Sequence, residues 1–252
     1  MTDFAGATPD ATVSHASRVD LVVHGPRGRM GQRIVALASS DARVASVYAW
    51  DREQSCSALV SRAAAPVVLI DVTSDHGALR AINEAHDLKI PVCIATTGLR
   101  ASTEDRMRAV SSHVPVLFAP NTSMGMAVLR VLLVHASERL AQRADVRLSE
   151  AHHHAKKDAP SGTARVLRKI LNDCGFPSIS DAETDVVRAG DTIGTHVVTF
   201  TLGDETLSMR HECHDRDVFA RGAIDAACWL ATQSPGMYDM DDVIASSIHP
   251  DG

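Results

Sequence analysis

The chain has 252 residues, 45% hydrophobic and 22% charged, an ordinary globular composition with enough apolar material for a sizeable core. Its 25 Lys and Arg stand against 31 Asp and Glu, a net charge of −6 that argues against a general nucleic-acid-binding surface. No apolar run approaches the roughly 18 residues of a membrane span, the start of the chain lacks a basic-then-apolar signal pattern, and the 5 cysteines form no C-x-x-C pair. The expectation is a cytoplasmic protein without disulfides, membrane contact or a thiolate zinc site.

Residues 1–17, rich in Ala, Thr, Ser and Asp without apolar periodicity, read as a flexible leader. Residues 19–23 (VDLVV) form a short β-branched strand, followed by the turn HGPRGRMG and a helix carrying Ile34, Leu37 and Ala38. Residues 43–50 read as a second strand. VVLIDVT (67–73) reads as a third, its near-continuous apolar run fitting a strand buried on both faces. A helix over 75–87, a strand in IPVCIATTG (90–98), a helix over 102–112 and a strand in VPVLFAP (114–120) follow. This alternation predicts an α/β fold with a Rossmann-like, doubly wound parallel sheet.

Beyond residue 122 the pattern changes. A long helix over 123–143 carries Met126, Leu129, Leu132, Leu133 and Leu140 at helical spacing. A strand over 145–151, a helix over 161–174 and a hairpin of 194–202 and 205–213 turning at Gly203-Asp204 come next. A last helix is expected over 217–232. Strands clustered after a long helix predict a second, α+β unit, with the final helix free to return to the first.

The first turn places Gly25, Gly28 and Gly31 between a strand and a helix, the context in which a backbone can approach a pyrophosphate and offer it helix N–H groups. Its spacing is G-x-x-G-x-x-G rather than the commoner G-x-G-x-x-G, so a glycine-rich turn without ligand is the plain alternative. Asp51 lies 20 residues after Gly31, near the offset of a ribose-binding carboxylate, and Arg52 follows it. A carboxylate repels a 2′-phosphate and a guanidinium pairs with one, so this dipeptide reads as accepting NADH or NADPH, or else as a solvated strand end. Ala95, Thr96, Thr97 and Gly98, and the stretch APNTSMG (119–125) with Ala119, Asn121 and Thr122, fall just after strands. Ligands of open parallel sheets bind there, although each could be only a turn.

EAHHHAKKDAPSGTA (150–164) packs three histidines, two lysines and an aspartate into seven positions before a helix-opening Ser-Gly-Thr. A solvated loop and a metal site are alternatives to a functional anion pocket. Adjacent histidines of a strand point to opposite faces and the lysines repel a cation, so no metal is expected. The functional reading is a proton donor beside an anion pocket: histidine holds a transferable proton, lysine a fixed charge, and the helix start further N–H donors.

Together, GPRGRMG (25–31), ATTG, APNTSMG, EAHHHAKKDAPSGTA, RAGDTIGTH (188–196) and ARGAIDAACWL (220–230) resemble the 4-hydroxy-tetrahydrodipicolinate reductase family, also called dihydrodipicolinate reductase. The likeness spans nearly the whole chain after the leader. It implies an NAD(P)H-dependent reduction of a cyclic imine dicarboxylate in bacterial lysine and diaminopimelate biosynthesis. On it, His152 matches the proton donor and Lys156 its partner and carboxylate ligand. His153, Gly162 and Thr163 match substrate contacts. The glycine turn with Arg29 and Met30, Asp51, Arg52, residues 95–98, Ala119, Asn121 and Thr122 match the cofactor cleft.

The resemblance also implies a dinucleotide-binding domain of 18–122 with 217–252, and a substrate-binding and oligomerisation domain of 123–216 whose sheet builds a homotetramer. Four departures stand out: Ala155 where many members carry histidine, Thr122 where phenylalanine is common, Pro26-Arg27 in place of small residues, and a short segment between Asp51 and Pro66 that implies a trimmed helix. Two rivals are an oxidoreductase acting on a semialdehyde and a catalytically silent nucleotide sensor. The His-Lys-Pro-Ser-Gly-Thr segment argues against the first, and the presence of His152 and Lys156 against the second.

Overall fold

Strand β1 (Val19–His24) is buried along its whole length, and so is β3 (Val67–Asp71). Both are central in a six-stranded sheet of order β10-β5-β4-β3-β1-β2, with β2 at Val44–Trp50, β4 at Val92–Ile94, β5 at Pro115–Phe118 and β10 at Gly236–Tyr238. Every pairing is parallel. The computed structural model describes residues 18–51, 53–176, 180 and 183–248, so the leader of 1–17 and Arg52 lie outside the described residues.

Period-two alternation sends neighbouring side chains of one strand into two different cores. Leu21, Val23, Val68 and Ile70 join one cluster under α1 (Arg29–Ala38) and α7 (Asp217–Leu230). Val22, Val67 and Leu69 join the other, under α3 (Asp75–Leu88) and α4 (Ala101–Ser111). Helices on both faces explain why these strands read as continuous apolar runs. The segment after β2 forms only α2, the five residues Cys56–Val60.

A second sheet, ordered β7-β6-β8-β9, is mixed. It comprises β6 (Asp145–His152), β7 (Asp185–Arg188), β8 (Gly194–Leu202) and β9 (Glu205–Cys213). The β8–β9 hairpin turns at Gly203, whose φ of +56° suits glycine. Helices α5 (Met124–Leu140) and α6 (Gly162–Asp173) bury one face of this sheet around Leu133, Leu148, Leu167, Val198 and Phe200. Both helices start on serine caps: Ser123 Oγ accepts from the Met126 N–H and Ser161 Oγ from the Ala164 N–H.

Helix α7 leaves the second sheet and returns to the first core through Ala220, Ala223, Ile224 and Ala227. Its small residues permit a close approach, closest at Gly222, where a Cβ would lie 1.7 Å from the Thr122 carbonyl oxygen. After it, β10 and α8 (Met240–Ile248) complete the first core with Met240, Val243 and Ile244.

Four segments differ from the sequence reading. The fourth strand ends at Ile94, because the chain then turns to put the Thr96 hydroxyl on Asp71. Strands β7 and β10 were not expected, being four and three residues long and half-exposed. Helix α8 was not expected either. Among the described residues no helix is long and apolar enough to cross a membrane.

Candidate active site

The first half of the site is the turn after β1. Gly25 has a φ of +90°, and a Cβ on Gly31 would meet the Gly25 carbonyl oxygen at 2.1 Å, so turn and helix can touch only as glycines. Gly28 caps α1 without a side-chain hydrogen bond, and the first turn of the helix holds no acidic residue. The leading N–H groups of α1 are therefore available to an anion, and the donor set fits a pyrophosphate. Arg29 is exposed at the helix start, while Met30 packs partly against the core.

At the end of β2, Asp51 accepts from Arg27 Nη2 at 2.8 Å and from the Glu53 N–H at 3.1 Å. Beneath the carboxyl ends of the strands lies a buried network that the sequence reading did not include. Asp71 accepts from Thr73 Oγ1 at 2.6 Å and from Thr96 Oγ1, and pairs with His24 Nδ1 at 2.8 Å. His24 stacks on Trp50 with ring centroids 4.0 Å apart. The Thr96 hydroxyl thus braces the floor of the cleft, whereas Thr97 and Gly98 are exposed beside Ala95.

Ala119 is buried, and Thr122 is turned away from the cleft, donating to the Phe219 carbonyl of α7 at 2.6 Å. Asn121 does the joining. Its Oδ1 accepts from the Ser123 N–H at 3.0 Å, and its Nδ2 donates to Thr163 Oγ1 at 3.1 Å, 42 residues away. This bond brings the loop after β5 against the start of α6.

The second half of the site is the end of β6. His152 is 7% exposed, His153 is half-buried, and His154 is exposed with its Nδ1 3.1 Å from the Gly190 carbonyl. Lys156 Nζ pairs with Asp158 at 2.8 Å. Gly162 is exposed at the first turn of α6, with Thr163 half-buried beside it. Among the described residues no hydrogen bond or ion pair links His152 or Lys156 to the glycine turn. The Asn121–Thr163 bond is the direct polar contact between the two candidate sets.

Glu150, two residues before His152 on the same strand face, was not singled out by sequence. Strand register brings it opposite His196 on β8, and His152 opposite Arg188 on β7. Glu150 Oε1 accepts from the Ser161 N–H at 3.0 Å and from Arg188 Nη2 at 2.7 Å. Glu150 Oε2 has no hydrogen-bond partner; it lies 3.6 Å from His152 Nδ1 and 3.5 Å from His196 Nε2. Burial pushes the Glu150 carboxyl up, but the neighbouring His196 ring and the hydrogen bonds from Ser161 and Arg188 outweigh it and hold the group well below the usual carboxylate range. Burial pushes the His152 imidazole down to about 4, aided by neighbouring His196, Lys156 and Arg188 and opposed by Glu150.

Glu150, His152 and His196 bring ligand-type atoms within 4.8 Å of one another, so one segment histidine converges with residues outside the triplet. Arg188 already places a full positive charge on Glu150, and Lys156 adds to the local positive field. The site is organised around protein cations, which suits an anionic small molecule.

Comparison with known proteins agrees with this geometry. Residues 19–122 match the family model for the N-terminus of dihydrodipicolinate reductase, and residues 125–244 that for its C-terminus. The 4-hydroxy-tetrahydrodipicolinate reductase of Syntrophus aciditrophicus (strain SB) is 39% identical over 194 residues, covering 70% of this chain and 72% of that protein. The enzyme of the same name from Bdellovibrio bacteriovorus is 33% identical over 227 residues, covering 90% and 96%. A dipicolinate-bound dihydrodipicolinate reductase from Paenisporosarcina sp. TG-14 shares the fold, with a TM-score of 0.70 at 20% identity over 89% of this chain and 99% of that one. With both family models matched across most of its length, this chain belongs to the dihydrodipicolinate reductase family.

Proposed function

We propose that the protein reduces 4-hydroxy-tetrahydrodipicolinate to tetrahydrodipicolinate in lysine and diaminopimelate biosynthesis, using NADH or NADPH. The ring gains a hydride and a proton and loses its 4-hydroxyl as water. The observation that carries this reading is a buried histidine, ringed by Lys156, Arg188 and the α6 N-terminus, in a segment bonded through Thr163 to the carboxyl-end loop of a dinucleotide-type sheet.

The nicotinamide, when bound, supplies the hydride. Gly25, Gly28 and Gly31 with the first N–H groups of α1 would hold the pyrophosphate, beside Arg29 and Met30. Asp51 would hold ribose hydroxyls, and Arg27 together with Arg52 would offer charge to a 2′-phosphate. The turns of Ala95, Thr96, Thr97 and Gly98, and of Ala119, Asn121 and Thr122, would shape the nicotinamide end, with Thr96 and Thr122 acting as braces. This assigns dinucleotide binding to 18–122 with 217–252 and substrate binding to 123–216.

Lys156, Gly162 and Thr163, with His153 at the rim, would hold the substrate carboxylates by charge-assisted bonds worth about 1.5–3 kcal/mol each. His152 would donate the proton. It is neutral in the free protein at pH 7, and the two negative charges of the substrate would restore its proton. The outer face of the second sheet supports a homotetramer: β9 is exposed over most of its length, and Leu207 there is 45% exposed. Free cysteines throughout the described residues fit the reducing cytoplasm.

The test couples aspartate semialdehyde, pyruvate and the preceding synthase to this protein and follows NADH and NADPH oxidation in parallel. Oxidation that requires every component is expected. Absence of oxidation with both cofactors sinks the reading.

A further inference from the structure

We propose that Glu150 is the positioning residue of the proton-donating step. Its Oε2 fixes the His152 ring with Nδ1–H turned inward, leaves Nε2 as the atom that carries the transferred proton, and balances the imidazolium that forms. The proposal rests on the reading of His152 as proton donor. Four observations carry it.

First, Glu150 is a prepaid charge. It is 2% exposed, and both bonds to Oε1, from the Ser161 N–H and Arg188, come from elements that pack the site, so the carboxylate is anchored independently of any ligand. Second, Oε2 is the one buried carboxylate oxygen of the cluster without a donor, and His152 Nδ1 is likewise unpartnered 3.6 Å away. A small rotation of the ring makes that pair a hydrogen bond. Third, the opposite nitrogen, Nε2, lies against Gly194, where a Cβ would stand 3.1 Å from it, so any side chain at that position would crowd the proton-bearing atom. Fourth, the remaining neighbours would oppose protonation. His196 on β8 stands edge-on with its centroid 5.1 Å away, Lys156 follows on the loop, and Arg188 reaches in from β7. Ser161 at the start of α6 contributes only neutral groups, its Oγ 3.2 Å from His196 Nε2. Among the described residues, Asp158 is engaged by Lys156 at 2.8 Å, and Glu150 is the negative group placed against the ring to favour the imidazolium.

The chemistry is simple. In the reactive complex the proton would leave His152 Nε2 for the substrate ring, and the imidazole left behind would keep its Nδ1–H on Glu150; a bound nicotinamide would supply the matching hydride. Without the carboxylate the ring can flip or adopt the other tautomer, and its proton is lost at lower pH.

The experiment measures kcat against pH for the parent protein, Glu150→Gln, Glu150→Asp and His152→Ala, with NADPH and synthase-made substrate. NADPH binding is read separately by fluorescence as a check on the dinucleotide half. Glu150→Gln is expected to bind NADPH normally, to lose at least roughly tenfold and at most about 10,000-fold in kcat, and to move the alkaline limb down by about one pH unit or more. Glu150→Asp, which keeps the charge, is expected to restore the limb. A Glu150→Gln protein within twofold of the parent, with its limb unmoved while His152→Ala is crippled, overturns the proposal. A fully active His152→Ala protein instead removes the donor reading beneath it. Should Glu150→Gln fail to fold, histidine-nitrogen NMR of the parent decides: a neutral His152 carrying its proton on Nδ1 is expected, and an Nε2–H tautomer overturns the assignment.

Discussion

Arg27 of the glycine turn grips Asp51 at the end of β2, Nη2 to Oδ2 at 2.8 Å, with the arginine 80% exposed and the aspartate 24%. An ion pair so open to water contributes about 0–1 kcal/mol and yields readily to a ligand. It brings a second guanidinium to the carboxylate proposed to hold the ribose hydroxyls, where the sequence reading had named Arg52 alone.

Cofactor choice should therefore respond to either partner. Asp51→Asn is expected to raise the KM for NADH and to leave or improve that for NADPH, shifting the ratio about tenfold. Arg27→Ala should shift the ratio the opposite way by a similar factor, since one charged hydrogen bond is worth about 1.5–3 kcal/mol when sheltered and less here. Steady-state kinetics with both cofactors read the ratios, and two unchanged ratios would remove the pair from selectivity.

His152→Ala should lower kcat by roughly 100- to 10,000-fold, the contribution of one general acid. Lys156→Ala should raise the substrate KM and lower kcat together, because its ammonium is to hold a carboxylate while the proton moves. Equal NADPH affinity in both variants would place the damage in the second half of the site. Unaltered kinetic constants in the lysine variant would end its role as a carboxylate ligand.

Stability should fall on mild acidification. The His152 pKa is about 4 in the folded protein against a reference of 6.5, so between those values the unfolded chain binds more protons. Its contribution is full above about 6.5 and is lost as pH drops toward 4. His211, also pushed down by burial and by His196, has the same sign. The carboxyl of Glu150, held low, adds a further loss only below its reference value of 4.5. Thermal unfolding from pH 7.5 to 5 should show a falling Tm, and His152→Gln should flatten the slope; an identical slope would place the acid sensitivity elsewhere.

Gly31→Ala should cripple dinucleotide binding and cost about 1–3 kcal/mol of stability by overpacking. Its new methyl would stand 2.1 Å from the Gly25 carbonyl oxygen, and that clash is with backbone. Gly98→Ala is milder in packing, with nothing within 4 Å, although its φ of +70° still strains an L-residue. Denaturant unfolding and NADPH fluorescence titration separate the two. Equal effects of both changes would refute the steric argument.

What could be read ahead of the structure was what is local. Strands β1 and β3 announced themselves through runs made apolar by double-sided burial, and the hairpin through Gly203-Asp204 between alternating strands. What could not be read depends on register. Glu150 meets His196 only because β6 and β8 pair antiparallel, and His196 in turn stands opposite His211 on β9, whose Nε2 reaches Ser123 Oγ at 3.1 Å. The i, i+2 spacing of Glu150 and His152 was the available clue. Thr122 is a lesson of the same kind: its neighbourhood in the motif pointed to the cleft, but Gly222 of α7 approaches so closely that its hydroxyl goes to the helix. Helix α8 carries Met240, Val243 and Ile244 at i, i+3 and i+4, a helical spacing the sequence reading passed over, whereas β10 is only three residues long.

The return of α7 and α8 to the first core has a consequence for biosynthesis. The cluster beneath α5 and α6 is drawn from residues 126–200, one uninterrupted stretch of chain, whereas the core under α1 and α7 unites residues as far apart as Val19 and Ile244. On the ribosome the middle of the polypeptide can close upon itself while the strands made before it still wait for their covering helix.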